Sequence, residues 1–222
     1  MKQAEKKQRL ANIVAALKDL YPDATCALEY QGDPWKLLVM GRLSAQCTDA
    51  RVNIVCRDLF ARFPTPEAMV AAPLCDIEEI VKPCGLYRMK AKNIQDASRM
   101  LLEKFGGVLP STMEELLELP GVGRKIANLL LGDIYHLPAV VTDTHCIRIC
   151  GRWGMYAQTE KNPYKVEQIL TPLLEAAESS DFCHRIVLFG RDRCRARGPL
   201  CEGCPIGDKG LCEMRTREAR RG

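Results

Sequence analysis

Helix start signals recur at short intervals along the chain, and they restrict its fold more than any other feature. Side chains of Ser, Thr, Asp and Asn satisfy the unpaired N–H groups of a first helical turn, and proline fits the first helical position. A capping residue directly before proline starts three of the predicted helices, at Asp33-Pro34, Thr65-Pro66 and Asn162-Pro163. Thr48 or Asp49 is expected to start a further helix.

Apolar residues follow the helical repeat between these signals, and no stretch alternates as a strand does. The segment 88–107 has one apolar face and a terminal Gly-Gly pair that ends its helix. Capping-box spacing, at Asp76 with Glu79 and at Ser111 with Glu114, predicts two more helix starts. We therefore predict an all-α chain of roughly ten short helices.

The composition agrees with packed helices and gives no sign of a membrane segment. Of 222 residues, 47% are hydrophobic but only 6% are aromatic, which suffices for one large domain or two modest ones. No apolar run approaches the roughly 18 to 20 residues that span a bilayer. The basic opening segment MKQAEKKQRL has no apolar region after it, so no secretory signal is expected.

Positive charge is concentrated near the end of the chain. The net charge is +4, and residues 191–222 hold nine Lys/Arg against five Asp/Glu, which accounts for all of it. Such a segment suggests a polyanionic partner, although a solubilising segment would have the same composition.

The chain has twelve cysteines, which fall into two groups. Without a secretory signal they indicate a reducing compartment rather than a disulfide framework. Eight lie in apolar helical segments and are expected to pack as small hydrophobes: Cys26, Cys47, Cys56, Cys75, Cys84, Cys146, Cys150 and Cys183. The last four are spaced C-x6-C-x2-C-x7-C and predict a metal site: Cys194, Cys201, Cys204 and Cys212. The spacing alone favours tetrahedral zinc, with a [4Fe–4S] cluster as the alternative.

A glycine-rich turn lies in LPGVGRKIANLLL, residues 119–131. Only LPGVG separates the predicted helix Met113–Glu118 from a helix that begins near Gly123, which predicts an αα-hairpin. Gly121 and Gly123 would leave N–H groups at a helix N-terminus open to a phosphate, or the turn would merely pack. By themselves, Lys125 reads as an exposed helix lysine and Asp143 as the N-cap of the apolar helix after it.

Longer stretches resemble the helix-hairpin-helix DNA glycosylases of the endonuclease III family. They are LPGVGRKIANLLL with VVTDTHCIRICGR, LSAQCTD, the GLY of PCGLYRMKAKNI and the cysteine pattern, from about Trp35 to Cys212. The resemblance implies a bifunctional DNA glycosylase/AP lyase of base excision repair, since relatives that only hydrolyse the base lack lysine at position 125. Its substrate would be double-stranded DNA containing a damaged base or an abasic site.

The resemblance assigns catalysis to two residues. Lys125 would attack the sugar as a neutral amine, because an ammonium has no free electron pair. A helix N-terminus and partial burial both disfavour a positive charge and would assist. Asp143 would accept a proton and stabilise positive charge on the sugar, besides capping its helix.

The resemblance also implies DNA contacts and a cofactor. Gln46 would fill the gap left by a flipped base, Leu86 would wedge open the opposite strand, and His145 and Arg124 would face phosphates, alongside the hairpin glycines. The four C-terminal cysteines would hold a [4Fe–4S] cluster in a loop whose Arg195 and Arg197 approach the DNA backbone. The last cysteine gap is two residues longer than the family pattern.

We expect two helical domains with DNA between them: a six-helix domain, 25–136, and a cluster-bearing domain, 1–24 with 137–222. Oxidised pyrimidines are the expected substrates; mismatched uracil or thymine is the alternative. Cys47, Cys84 and Ile126 depart from the expected pattern. A non-catalytic DNA-binding protein and a zinc-ribbon interaction protein also remain open. We further expect a monomer in the cytoplasm, associated with the nucleoid.

Overall fold

A computed structural model describes residues 1–219, with side chains through residue 216. Within that range the chain is all-α and contains no strand, which confirms the predicted fold class. It divides into two compact units: a central unit, Cys26–Tyr135, and a terminal unit made of Met1–Thr25 with the described part of His136–Gly222.

The described residues form thirteen α-helices: α1 Gln3–Leu20, α2 Pro34–Leu43, α3 Asp49–Arg62, α4 Pro66–Ala71, α5 Leu74–Val81, α6 Tyr87–Phe105, α7 Met113–Glu118, α8 Arg124–Asp133, α9 Thr144–Arg152, α10 Pro163–Leu170, α11 Ser179–Asp192, α12 Pro205–Asp208 and α13 Glu213–Ala219. Short 3-10 turns occur at Lys82–Cys84, Thr171–Leu173 and Ala176–Glu178. The central unit thus has seven α-helices where a six-helix domain was expected.

The cap-then-proline signals mark true helix starts. Asp33 Oδ1 accepts hydrogen bonds from the N–H groups of Trp35 and Lys36 at 3.0 and 3.1 Å. The remaining caps each accept one bond from the first turn of their helix: Thr48 from Arg51, Thr65 from Ala68 and Asn162 from Lys165.

Both predicted capping boxes were misplaced. Helix α5 begins at Leu74, so Asp76 lies inside its first turn and forms an ion pair with Arg62 at 2.5 Å. Helix α7 is capped one residue later than expected, by Thr112, whose hydroxyl accepts from Glu115 N at 3.3 Å. The adjacent capping residues Ser111 and Thr112 make the start of α7 ambiguous from sequence alone, whereas α5 begins after Pro73 without any side-chain cap.

The central unit is built around α6, which packs against α2, α4 and α5, while α2 also packs against α3 and α8. Trp35 of α2 lies in this core with its ring 5.5 Å from that of Phe60. Its indole N–H donates to Ser98 Oγ at 2.9 Å, so the polar edge of the buried ring is satisfied.

In the terminal unit, α11 packs against α1 and α9. Trp153 lies in its core, with ring centroids 6.5 Å from Phe182 and 5.8 Å from Phe189. Of the eight cysteines expected to pack as hydrophobes, five are buried and two half-buried, but Cys75 is exposed because it lies on the outer face of the first turn of α5. Along residues 1–219, no helix combines the length and the apolar character needed to cross a bilayer.

Candidate functional site

The glycine-rich hairpin lies between α7 and α8 of the central unit. The N–H of Val122 donates to the carbonyl of Leu119 at 3.0 Å, and both side chains are buried. Gly121 has φ +79°, and a Cβ there would lie 2.6 Å from Arg42 Nε and 2.9 Å from Asn93 Cβ. Only glycine therefore allows the turn to approach α2 and α6 so closely.

Gly123 has a different role, as the N-cap of α8. Its φ of −106° is open to any residue, and a Cβ at this position would have no atom within 4 Å. It offers no capping side chain, so the first turn of α8 begins beside open space. This is the arrangement in which a helix N-terminus binds an anion.

Lys125 is the second residue of α8, and its side chain is exposed. The partial burial expected for this side chain is therefore absent in the structure. Arg124, immediately before it, is half-buried.

Gln46 and Leu86 share two properties. Both are exposed, Leu86 by 53%, and both adopt left-handed backbone conformations, with φ of 56° and 49°. Non-glycine residues avoid this region, and such strain persists only where the surroundings impose it. Leu86 is therefore an exposed residue and not part of the hydrophobic core.

Lys90, which the sequence analysis missed, is fully buried and connects the segments that carry these two residues. Its Nζ donates to the carbonyls of Leu43, Ala45 and Cys84 at 2.9, 2.7 and 2.8 Å. Burial lowers the pKa of the Lys90 ammonium. Helical periodicity could have revealed it, because position 90 falls on the apolar face of α6 with Ile94.

Asp143 lies in the terminal unit and is the N-cap of α9, as predicted. Its Oδ1 accepts from Cys146 N at 2.7 Å, and the residue is half-buried. The short distance is typical of a charge-assisted bond to a helix N-terminus.

His145 follows in the first turn of α9, where Arg148 Nη2 lies 3.2 Å from its Nδ1. Because a guanidinium can only donate, Nδ1 is the acceptor in this contact. Gly190 of α11 lies against this ring, since a Cβ there would overlap Nδ1 and come 2.9 Å from Ile149 Cδ1.

The four C-terminal cysteines line one cavity of the terminal unit, together with Trp153 and Phe189. Arg152 donates to Cys194 Sγ at 3.2 Å and to the carbonyls of Arg195 and Ala196 at 2.7 and 3.1 Å, which holds the loop after Cys194. The side chains of Arg195 and Arg197 are exposed. Among the described residues, no three His, Cys, Asp or Glu side chains lie close enough together to hold a single metal ion.

The central unit thus carries Gln46, Leu86, Gly121, Gly123, Arg124 and Lys125, and the terminal unit carries Asp143, His145, Arg195, Arg197 and the four cysteines. Two helices joined by a short glycine-containing turn, here α7 and α8, define a helix-hairpin-helix protein. Residues 39–176 match the model of the HhH-GPD superfamily of base excision DNA repair proteins.

Individual relatives narrow the class. Endonuclease III of Synechocystis sp. is 46% identical over 206 residues, 92% of this chain and 93% of that protein. Endonuclease III of Escherichia coli K12 is 36% identical over 211 residues, 95% of this chain and 98% of that protein.

Two solved structures agree. A non-covalent endonuclease III–DNA complex has a TM-score of 0.89 at 38% identity, covering 96% of this chain and 98% of that one. A trapped endonuclease III–DNA covalent intermediate has a TM-score of 0.88 with the same identity and coverage. The chain belongs to the endonuclease III family of base excision repair DNA glycosylases with AP lyase activity, which confirms the resemblance.

Proposed function

We propose that this chain excises oxidised pyrimidines such as thymine glycol from duplex DNA and cleaves the abasic strand, with Lys125 as nucleophile. The observation that carries the proposal is the place of Lys125, exposed one residue into α8 and directly after an uncapped, open glycine turn. A phosphate bound at that turn would bring the sugar of the damaged nucleotide to the amine.

The reaction divides into two stages. The neutral Lys125 amine attacks C1′ of the sugar, the C1′–N bond breaks, and the base leaves with the bonding electron pair and a proton. The sugar ring opens to a Schiff base, loss of the 2′ proton expels the 3′ phosphate, and water then releases the amine.

Asp143 would assist this chemistry from the terminal unit. One carboxylate oxygen caps α9 through Cys146 N. The carboxylate stabilises positive charge on the sugar as the base leaves and accepts the proton that the attacking amine loses.

The damaged base must leave the stack before its sugar can be attacked, which costs a few kcal/mol. Gln46 would occupy the space that it leaves, and Leu86 would separate the opposite strand. Their exposure and left-handed backbones support these roles, because both side chains project from the ends of helices rather than into the core. His145, Arg124 and the exposed Arg195 and Arg197 would contact phosphates.

We also propose that the four cysteines hold a [4Fe–4S] cluster rather than zinc. Four thiolates on one tetrahedral zinc would have sulfur atoms roughly 3.8 Å apart, whereas each thiolate of a cubane cluster binds its own iron. The four cysteines line one cavity, which brings together the thiolate set that such a cluster requires. The bound cluster would brace the loop of Arg195 and Arg197. Metal analysis distinguishes the two: about four irons per chain support the cluster, and one zinc contradicts it.

The Lys125→Gln variant tests the central proposal. On a duplex with a single thymine glycol or abasic site, borohydride should trap wild type covalently but not Lys125→Gln, because an amide forms no Schiff base. DNA binding should remain, since the open turn is unchanged. Lys92→Gln, which removes another exposed helix lysine of the central unit, is the control and should trap normally. Trapping by Lys125→Gln would remove Lys125 from this role.

Duplexes with mismatched uracil or thymine, assayed with and without alkali, test the substrate assignment. Excision of those bases in preference to thymine glycol would overturn the oxidised-pyrimidine assignment. It would leave the proposed role of Lys125 as nucleophile unchanged. A DNA substrate would place the enzyme at the nucleoid.

A further inference from the structure

The most unusual buried group of the central unit is the ammonium of Lys90, which has 0% exposure. Burying a charge costs several kcal/mol unless it is fully hydrogen-bonded, and an apolar side chain of the same volume would avoid that cost. All three N–H donors of Lys90 are used, and every acceptor is a main-chain carbonyl. The ammonium therefore joins segments of backbone to one another.

These carbonyls belong to the two segments that present Gln46 and Leu86. Leu43 is the last residue of α2, and Ala45 directly precedes Gln46. A cation here satisfies carbonyls at a helix C-terminus, which the helix dipole favours.

The second segment is the turn before α6. Cys84 ends the 3-10 turn Lys82–Cys84, two residues before Leu86. The carbonyl of Leu86 in turn accepts from the main-chain N–H of Lys90 at 3.1 Å. Lys90 therefore contacts the Leu86 segment through both its backbone and its side chain, and the Gln46 segment through its side chain.

We propose that Lys90 is a positioning residue: its buried ammonium sets the spacing between Gln46 and Leu86, so that one can fill the gap of a flipped base while the other separates the opposite strand. This inference rests on the function proposed above for those two residues. It assigns Lys90 no contact with DNA, because the side chain is sealed from solvent.

The arrangement explains the strained backbones at both positions. A left-handed conformation in a non-glycine residue persists when neighbouring contacts impose it. The carbonyl bonds at Ala45 and Cys84 restrain the chain one residue before Gln46 and two before Leu86. Without these hydrogen bonds, each segment can relax toward ordinary backbone torsions. The side chains of Gln46 and Leu86 then lose their fixed spacing.

The test compares Lys90→Met with wild type, with Lys92→Met as the matched control, since Lys92 is an exposed lysine on the same helix. Excision of thymine glycol from a duplex is expected to fall about tenfold to a hundredfold in Lys90→Met, the loss typical of a displacement of about 1 Å. The fluorescence rise of 2-aminopurine next to the lesion, which reports base extrusion, should disappear. Borohydride trapping on a single-stranded abasic oligonucleotide should persist, because no gap needs filling there.

A double-mutant cycle separates positioning from general support of the fold. In a Gln46→Ala/Leu86→Ala background, Lys90→Met should reduce duplex excision by less than twofold further, because the residues through which it acts are absent. An equal loss in both backgrounds would overturn the proposal, as would wild-type excision by Lys90→Met. If Lys90→Met shows no cooperative unfolding transition, Lys90→Gln replaces it, because glutamine keeps a neutral hydrogen-bond donor. The same double-mutant cycle and the same outcomes then apply to Lys90→Gln. Failure of wild type to trap abasic DNA would instead contradict the proposed function.

Discussion

At the scale of single residues, the two hairpin glycines are required for different reasons. Gly121 needs a left-handed backbone and has Arg42 and Asn93 against it, whereas Gly123 has an extended backbone beside open space. The first is needed for folding of the turn, and we propose that the second keeps the N–H groups of α8 open to a phosphate.

Alanine at Gly121 should therefore affect mainly the stability of the protein, and alanine at Gly123 mainly its binding to DNA. Gly121→Ala is expected to reduce the free energy of unfolding by about 1–3 kcal/mol, because it adds backbone strain and a clash. Gly123→Ala should change it by less than about 0.5 kcal/mol but weaken DNA binding, because its methyl group lies beside the anion position. Urea unfolding and titration with abasic-site duplex measure the two effects. Equal stability of both variants would contradict this assignment.

At the scale of elements, the start of α9 would combine two tasks in one residue, Asp143. Asp143 caps the helix through Cys146 N, and we propose that the same carboxylate takes part in catalysis. A cap depends only on a side-chain oxygen at the right position, whereas catalysis here depends on the negative charge.

Asp143→Asn and Asp143→Ala distinguish the two tasks. Asparagine caps about as well as aspartate, so Asp143→Asn should keep the wild-type Tm, while Asp143→Ala should lose about 1 kcal/mol of stability. Both should lose excision of thymine glycol by about a hundredfold or more, as when one electrostatic group is removed from an active site. Thermal unfolding with single-turnover kinetics measures both quantities. Full activity of Asp143→Asn would show that capping is the only task of the carboxylate.

At the scale of the whole molecule, the positive charge is unevenly distributed along the chain. The segment 191–222 accounts for the net charge of +4, and Arg152 holds the carbonyls of Arg195 and Ala196 in the loop where the exposed Arg195 and Arg197 lie. Such a loop would contribute to affinity for any DNA sequence.

Salt dependence of DNA binding tests this contribution. Arg195→Gln and Arg197→Gln should each make the negative slope of log K against log salt shallower by about 1, because each removes one phosphate contact. Arg57→Gln, an exposed arginine of the central unit paired with Glu29, should leave the slope unchanged. Unchanged slopes in the two loop variants would mean that this loop does not contact the DNA backbone.

The sequence alone was sufficient for the fold class, for most helix starts and for the family. Caps such as Asp33 and Thr65 bond to N–H groups two or three residues away, so a short stretch of sequence is enough to predict them. The same locality explains the errors: at Ser111 and Thr112, neighbouring capping residues compete, and packing selects between them. Cys75 is likewise exposed because of how α5 packs.

Only the tertiary structure decided the features that depend on contacts between residues far apart in the sequence. Leu86 could have been core, yet it lies half exposed in a strained conformation. Lys90 looked like any helix lysine, yet its ammonium binds carbonyls 47 and 45 residues before it. Helical periodicity places a side chain on a face, but only packing determines which distant backbone that face meets, because the partners of a buried charge are brought together by the fold.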